Sequence, residues 1–69
     1  MLIIGERNAI VYENVCSFGI YPICKKVSLV ASMNNGQKIR LGIYLTEEEA
    51  HNIIESIAQS SKETTVFHL

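Results

Sequence analysis

KKVSLVASMNNGQKIRLGIYLTEEEAHNIIESIA, residues Lys25–Ala58, is the clearest structural pattern in the chain. Its first half predicts a β-hairpin, with strands Lys25–Met33 and Gln37–Leu45 joined across Asn34-Asn35-Gly36. In both strands apolar and polar residues alternate, which is the period of a sheet with one buried face. A helix follows at once, beginning at Thr46. We expect the rest of the chain to cover or extend this hairpin and helix.

The length of the turn determines which side chains of the hairpin face the core. A two-residue Asn35-Gly36 turn is the usual expectation, but it would place Ser28 and Ser32 opposite core residues. A three-residue loop, closed by Gly36 in the left-handed conformation, pairs each core residue with another. These pairs are Ala31 with Ile39, Leu29 with Leu41, and Val27 with Ile43. Because a one-residue slip would turn whole faces over, we predict the three-residue loop.

The same register collects basic residues on the opposite face of the hairpin. It pairs Lys26 with Tyr44, Val30 with Arg40, and Ser32 with Lys38. No acidic residue lies on this face of the hairpin. Lys26, Lys38, Arg40 and Tyr44 are therefore the candidate ligand- or partner-binding residues. Lysine and arginine bind phosphates, and tyrosine offers a ring or a hydroxyl; an acidic protein surface would also suit this face. The competing interpretation is a solvated face whose charges discourage edge aggregation.

The helix has a clear start and an apolar stripe. Thr46 is the predicted N-cap, and Glu49 three residues later completes a capping-box pattern. Three glutamates in the first turn complement the positive end of the helix dipole. The apolar residues recur at helical spacing and are expected to pack on the core face of the hairpin: Ala50, Ile53, Ile54, Ile57 and Ala58.

The remaining segments favour further strands. Leu2–Ile4, Ala9–Tyr12 and Val15–Ile20 are short β-prone runs, and Thr64–Leu69 is a moderately apolar tail that could add a strand to its own sheet or to a partner's, or fray. We predict one domain, residues 1–69, of α+β class. Residues 1–45 would form an antiparallel sheet of four to five strands, residues 46–59 one C-terminal helix packed on one face, and residues 60–69 a tail with a possible short strand.

Length, composition and charge narrow the function classes. A chain of 69 residues has a small core, and its 48% hydrophobic residues exceed what so little interior needs, which predicts a homo-oligomer. The net charge of −1 gives no basic signature for nucleic acid. The N-terminus lacks the pattern of a signal peptide, and no apolar run reaches membrane-spanning length. We expect a cytoplasmic protein without a membrane partner.

No constellation of residues predicts catalysis. Cys16 and Cys24 lie in apolar runs and are expected to be small buried hydrophobes. Their spacing from His51 and His68 matches no zinc pattern, and His51 is expected to be a solvated helix residue. We therefore predict no enzyme activity, no catalytic residue, no metal and no cofactor.

A resemblance points to a class of proteins. The pattern Asn14-Val15-x-Ser17-Phe18, then Asn35-Gly36, then Leu41-Gly42-x-Tyr44-x-Thr46-Glu47-Glu48-Glu49-Ala50 resembles small uncharacterised proteins of Gram-positive bacteria and their phages, with a β-meander and one helix. The resemblance covers about residues 9–58. It implies a phage-type inhibitor or counter-defence protein that binds a host protein stoichiometrically. Two alternatives stay open: an oligomeric sponge for a nucleotide or cyclic-nucleotide signal, and a nucleic-acid-binding module.

Overall fold

The chain forms six β-strands and one α-helix in a computed structural model that describes residues 1–63 and 65–69. A single 3-10 turn, Tyr12–Asn14, separates the second strand from the third. The elements in chain order are β1 Leu2–Ile4, β2 Ala9–Val11, β3 Val15–Ile23, β4 Lys26–Met33, β5 Lys38–Tyr44, α1 Glu47–Ser60 and β6 Val66–His68.

The strands build two three-stranded sheets. One has the order β2-β1-β6, with β1 antiparallel to β2 and parallel to β6; the other is the antiparallel meander β3-β4-β5. The α+β class with one C-terminal helix is confirmed. The predicted single sheet of four to five strands is not confirmed, because the turn at Tyr12–Asn14 breaks the chain between β2 and β3, and β1 pairs with β6 instead.

Both sheets and the helix contribute to one core. Its fully or almost fully buried side chains come from β1, β2, β4, β5 and α1: Ile3, Ile10, Leu29, Ala31, Leu41 and Ile57. The helix packs against all three strands of the β3-β4-β5 sheet, as its apolar stripe predicts, although Ala58 is exposed. Thr46 caps it by accepting a hydrogen bond from the backbone amide of Glu49 at 3.2 Å, and the Glu49 carboxylate accepts one from the amide of Leu45 at 3.3 Å.

The register of the main hairpin is confirmed near the turn and wrong beyond it. Ala31 pairs with Ile39 and Val30 with Arg40, as predicted, and Gly36 adopts a φ of +89°. The register then shifts between Leu29 and Val30, where Leu41 is an extra residue in β5 and forms a β-bulge. The strand alternation therefore reverses after the bulge.

The turn that joins β1 to β2 is hydrogen-bonded to the backbone of the β-bulge. The backbone amide of Glu6 donates a hydrogen bond to the carbonyl oxygen of Leu41 at 3.1 Å. The side-chain amide of Asn8 donates one to the carbonyl oxygen of Arg40 at 3.2 Å. The turn thus binds two successive carbonyls of β5, which stabilises the irregular backbone there.

The tail adds a strand to its own chain. β6 runs parallel to β1, and the backbone amide of Leu69 donates a hydrogen bond to the carbonyl oxygen of Ile4 at 2.9 Å. Thr64, with which the predicted tail segment begins, lies outside the described residues.

Both cysteines are exposed, so the prediction that they are buried is wrong. Cys16 is the extra residue where the register of β3 against β4 shifts between Val15 and Ser17. Cys24 and Lys25 form a two-residue turn, both with positive φ (44° and 65°), so β4 begins at Lys26 rather than Lys25. A turn and a bulge place side chains outside the two faces that strand alternation predicts.

Candidate binding face

The sheet β3-β4-β5 presents one face to the core and one away from it, which we call the outer face. Strand alternation and the observed pairings define its members. They are Ser17, Gly19, Tyr21 and Ile23 from β3, Lys26, Ser28, Val30 and Ser32 from β4, and Lys38, Arg40 and Ile43 from β5.

An open depression of about 450 Å³ lies on the outer face. Two exposed cations, Lys38 and Arg40, border it on the β5 side. Apolar and aromatic groups border it on the β3 side, and a valine and a serine form its floor. The full lining is Tyr21, Pro22, Ile23, Ser28, Val30, Lys38 and Arg40. A surface that combines cations, an aromatic ring and aliphatic groups has the composition of a protein-binding patch.

Tyr44 does not belong to the outer face, so its predicted placement opposite Lys26 is wrong. The bulge at Leu41 pairs Tyr44 with Val27 instead of Lys26, which turns its side chain toward the core. Burial raises the pKa of the Tyr44 phenol above its ordinary 10.0, and the negative charge of Glu6 raises it further. Ile43 takes the outer position instead and is 40% exposed.

Lys26 lies on the outer face but borders a different depression. That depression, about 470 Å³ in volume, is lined by Glu6, Ile23, Cys24, Lys26 and Ile43. Glu6 also borders a third depression, of about 330 Å³, together with Arg40. Of the four predicted site residues, the structure thus brings Lys38 and Arg40 together, leaves Lys26 at one end of the face, and removes Tyr44.

Tyr21 supplies the aromatic ring that the sequence prediction assigned to Tyr44. Its ring lies over Gly19, where a Cβ atom would come within 2.8 Å of the ring, and the residue is 47% exposed. The sequence predicts that this strand ends at Ile20, yet β3 continues to Ile23, and Pro22 pairs with Val27 of β4. Continuing the alternation of Ser17 and Gly19 by two residues would have placed Tyr21 on the outer face.

The backbone of Arg40 is fixed on both sides. Its strand partner is Val30, and its carbonyl oxygen accepts the hydrogen bond from Asn8. The guanidinium group lies on the exposed side of the strand. This arrangement presents a cation from a backbone that pairs with β4 and is hydrogen-bonded to Asn8, which suits recognition of a carboxylate or phosphate.

The described residues offer no constellation for metal chemistry. Within residues 1–63 and 65–69, no three His, Cys, Asp or Glu side chains lie close enough to hold a metal ion. Over the same residues no helix has the length and apolar character needed to cross a membrane.

Comparisons with family models, curated proteins and solved structures found no match to this chain. Its function is therefore inferred from the chemistry of the outer face.

Proposed function

We propose that the chain is a non-enzymatic binding protein that uses its outer face to occupy an acidic patch on another protein. One observation carries this proposal: the exposed cations Lys38 and Arg40 line the same open depression as Tyr21 and Ile23. Arginine and tyrosine are enriched at the centres of protein interfaces. Cations beside them favour a partner with complementary negative charge.

The shape of the depression favours a macromolecule over a small molecule. Small-molecule sites bury about 70–90% of their ligand in a cleft, whereas this depression lies open on the face of a sheet. An open, partly apolar surface instead matches the surface of another protein.

The charge distribution favours a protein over a nucleic acid. The outer face carries three cations, Lys26, Lys38 and Arg40, and the chain as a whole has a net charge of −1. Nucleic-acid binding relies on many phosphate contacts and on a basic surface. Four of the seven acids lie in α1, which packs on the opposite face of the sheet.

The resemblance to small phage proteins gives this proposal its concrete form. A phage-type inhibitor or counter-defence protein acts by binding a host protein stoichiometrically, which needs a stable surface and no catalytic residues. The protein would act in the cytoplasm, where such host factors are found.

A second candidate is a sponge for a nucleotide or cyclic-nucleotide signal held between subunits. The observation that favours it is the Tyr21 ring beside two phosphate-binding cations, Lys38 and Arg40. In this role Tyr21 would stack on the base, the task first assigned to Tyr44.

Charge reversal tests whether the outer face binds a partner protein or is only a solvated surface. We would immobilise the wild-type protein and the Arg40→Glu, Lys38→Glu and Lys62→Glu variants, and test each against lysate of a candidate Gram-positive host bacterium. Lys62 is an exposed cation just after α1 and serves as the matched control. We expect wild type and Lys62→Glu to retain one protein that Arg40→Glu does not retain. After purification, this protein should co-elute with wild type at a fixed stoichiometry.

Two results would contradict the proposal. Equal retention by Arg40→Glu and wild type would show that the outer face is not the binding surface, provided that circular dichroism shows both to be folded. A rise in melting temperature with one member of a nucleotide panel would instead support the sponge, because a ligand that binds only the folded state stabilises it.

A further inference from the structure

The outer edge of β3 is the longest exposed strand edge in the described part of the chain. β3 spans nine residues, Val15–Ile23, none of them charged, and it lies at one side of its sheet. Folded proteins usually protect such edges with charges, prolines, bulges, short strands or covering loops. β3 has a bulge at Cys16 and a proline at Pro22, and the segment between them, Ser17–Tyr21, contains no charge, proline or bulge.

The other strand edges are short or covered. β2 and β6 have three residues each. β5 carries two cations, Lys38 and Arg40, and the turn between β1 and β2 binds its carbonyls at Arg40 and Leu41. The segment Ser17–Tyr21 of β3 is therefore the longest strand edge without a charge, a proline or a bulge in the described residues.

From these observations we infer that two copies of this chain pair through β3, edge to edge and antiparallel, into a six-stranded sheet. This inference goes beyond the proposed function and does not depend on it, because it concerns the edge of the sheet rather than the cations of the outer face.

The tight turn at Cys24 and Lys25 shows which backbone groups of β3 point to this edge. In a two-residue hairpin the flanking pair, here Ile23 and Lys26, is hydrogen-bonded, and hydrogen-bonded pairs then recur at every second residue. The backbone groups of Tyr21 and Gly19 therefore point toward β4. Those of Phe18, Ile20 and Pro22 point away from it, toward the edge, which is the side on which a strand proline is tolerated.

The two irregular positions of β3 select one register for the dimer. The bulge at Cys16 and the proline at Pro22 are each three residues from Gly19. A twofold axis at Gly19 places Pro22, which has no N–H group, opposite the Cys16 of the second copy, where the ladder is already irregular. Next to the axis, Phe18 of each copy lies opposite Ile20 of the other copy. Each of these two pairs forms two backbone N–H···O=C hydrogen bonds.

Gly19 suits the position on the axis. Residues that face each other there form a non-hydrogen-bonded pair with Cα atoms about 4.5 Å apart, so two glycines meet without conflict. Tyr21 already lies over Gly19 in each copy, and the two rings would flank the axis on the outer face. The two outer faces then become one continuous surface.

The dimer should depend on concentration. An edge-to-edge contact buries less than the roughly 1,200–2,000 Å² of a standard stable interface, which places the expected Kd between about 1 μM and 1 mM. Sedimentation velocity from about 10 μM to about 1 mM covers this range. A monomer at all these concentrations would overturn the inference.

A lysine on the edge tests whether β3 forms the contact. Ser17 is exposed and would face the second copy's Tyr21. Ser17→Lys should weaken dimerisation at least tenfold, because an edge lysine disfavours strand addition. Ser17→Thr, which keeps the hydroxyl and a good β-strand residue, should retain the dimer. Equal dimerisation of Ser17→Lys and wild type would place the interface elsewhere and overturn the inference.

Engineered cysteines test the register. In a background with Cys16→Ser and Cys24→Ser, the double variant Ser17→Cys and Tyr21→Cys places two thiol pairs across the axis. Oxidised glutathione takes two electrons and two protons from each pair, so a dimer linked by two disulfides should form.

Within one chain these positions are about 13 Å apart, too far for a disulfide. Each single variant should cross-link slowly, and a Ser17→Cys variant that cross-links as fast as the double variant would overturn the register.

Discussion

A Cβ atom on Gly5 would lie 2.8 Å from the carbonyl oxygen of Leu41. This close approach lets the amide of Glu6 bind the same carbonyl oxygen at 3.1 Å. The turn between β1 and β2 thereby fixes the bulge in β5, and the bulge decides that Ile43 rather than Tyr44 faces outward. The contact between Gly5 and the Leu41 carbonyl oxygen thus lies at the bulge that sets which β5 side chains belong to the candidate binding face.

Replacement of Gly5 by alanine should destabilise the protein. The added methyl group would meet backbone, which cannot rotate away, so we expect a loss of about 1–3 kcal/mol in the free energy of unfolding. Urea denaturation followed by circular dichroism measures this loss. Glu6→Ala is the matched control in the same turn, because it keeps the backbone bond to Leu41 and should change stability by less than about 0.5 kcal/mol. Equal stability of Gly5→Ala and wild type would contradict this account of the bulge.

Leu41 and Ile43 should differ sharply when each is truncated to alanine. Leu41 is 1% exposed and should lose about 2–5 kcal/mol. Ile43 is 40% exposed and should lose less than about 1 kcal/mol. In a hairpin without the bulge both side chains would face the core, and both truncations would be costly. Urea midpoints measured at an unchanged m-value distinguish these two registers.

The local signals in the sequence predicted much of the fold. The helix begins after Thr46 as the capping pattern indicates, and the three-residue loop at Asn34–Gly36 gives the predicted pairs nearest to it. These features depend on residues close together in the chain. For the same reason Lys38 and Arg40, which precede the bulge, lie where the alternation placed them.

The features that were missed depend on contacts between distant parts of the chain. The bulge at Leu41 needs the turn near Gly5, 36 residues earlier. The second sheet needs β6 to pair with β1 at the other end of the chain. Neither leaves a periodic signal in the strands concerned, so Tyr44 was assigned to the wrong face and one sheet was predicted instead of two.

The phenol of Tyr44 should titrate above pH 10. Burial favours its neutral form, and the charge of Glu6 adds to this effect. Because the pKa is higher in the folded than in the unfolded protein, Tyr44 contributes stability that is fully present below pH 10 and is lost as the pH rises through the folded-state pKa. Unfolding measured between pH 8 and about pH 12 should therefore show a smaller alkaline loss of stability in Tyr44→Phe than in wild type.

Absorbance at 295 nm gives an independent measurement of the same group. The difference between the titrations of wild type and Tyr44→Phe isolates Tyr44, and its midpoint should lie above 10. Glu6→Gln should lower that midpoint without bringing it to the ordinary value, because burial is the larger cause. A midpoint at or below 10 would mean that Tyr44 is solvated and that the bulge does not turn it inward.

The turn at Cys24 and Lys25 should become more stable when it is replaced by Asn-Gly. Both residues have positive φ, 44° and 65°, a conformation that costs an L-residue with a Cβ atom about 1 kcal/mol or more. Asparagine and glycine are the residues that two-residue hairpin turns prefer. We expect the double variant Cys24→Asn and Lys25→Gly to gain about 1 kcal/mol in the free energy of unfolding, measured by urea denaturation under reducing conditions. The control Cys24→Ser and Lys25→Ala removes the same thiol and charge but keeps two Cβ atoms, so it should gain nothing. An equal gain in both variants would trace the effect to the thiol or the charge rather than to the turn.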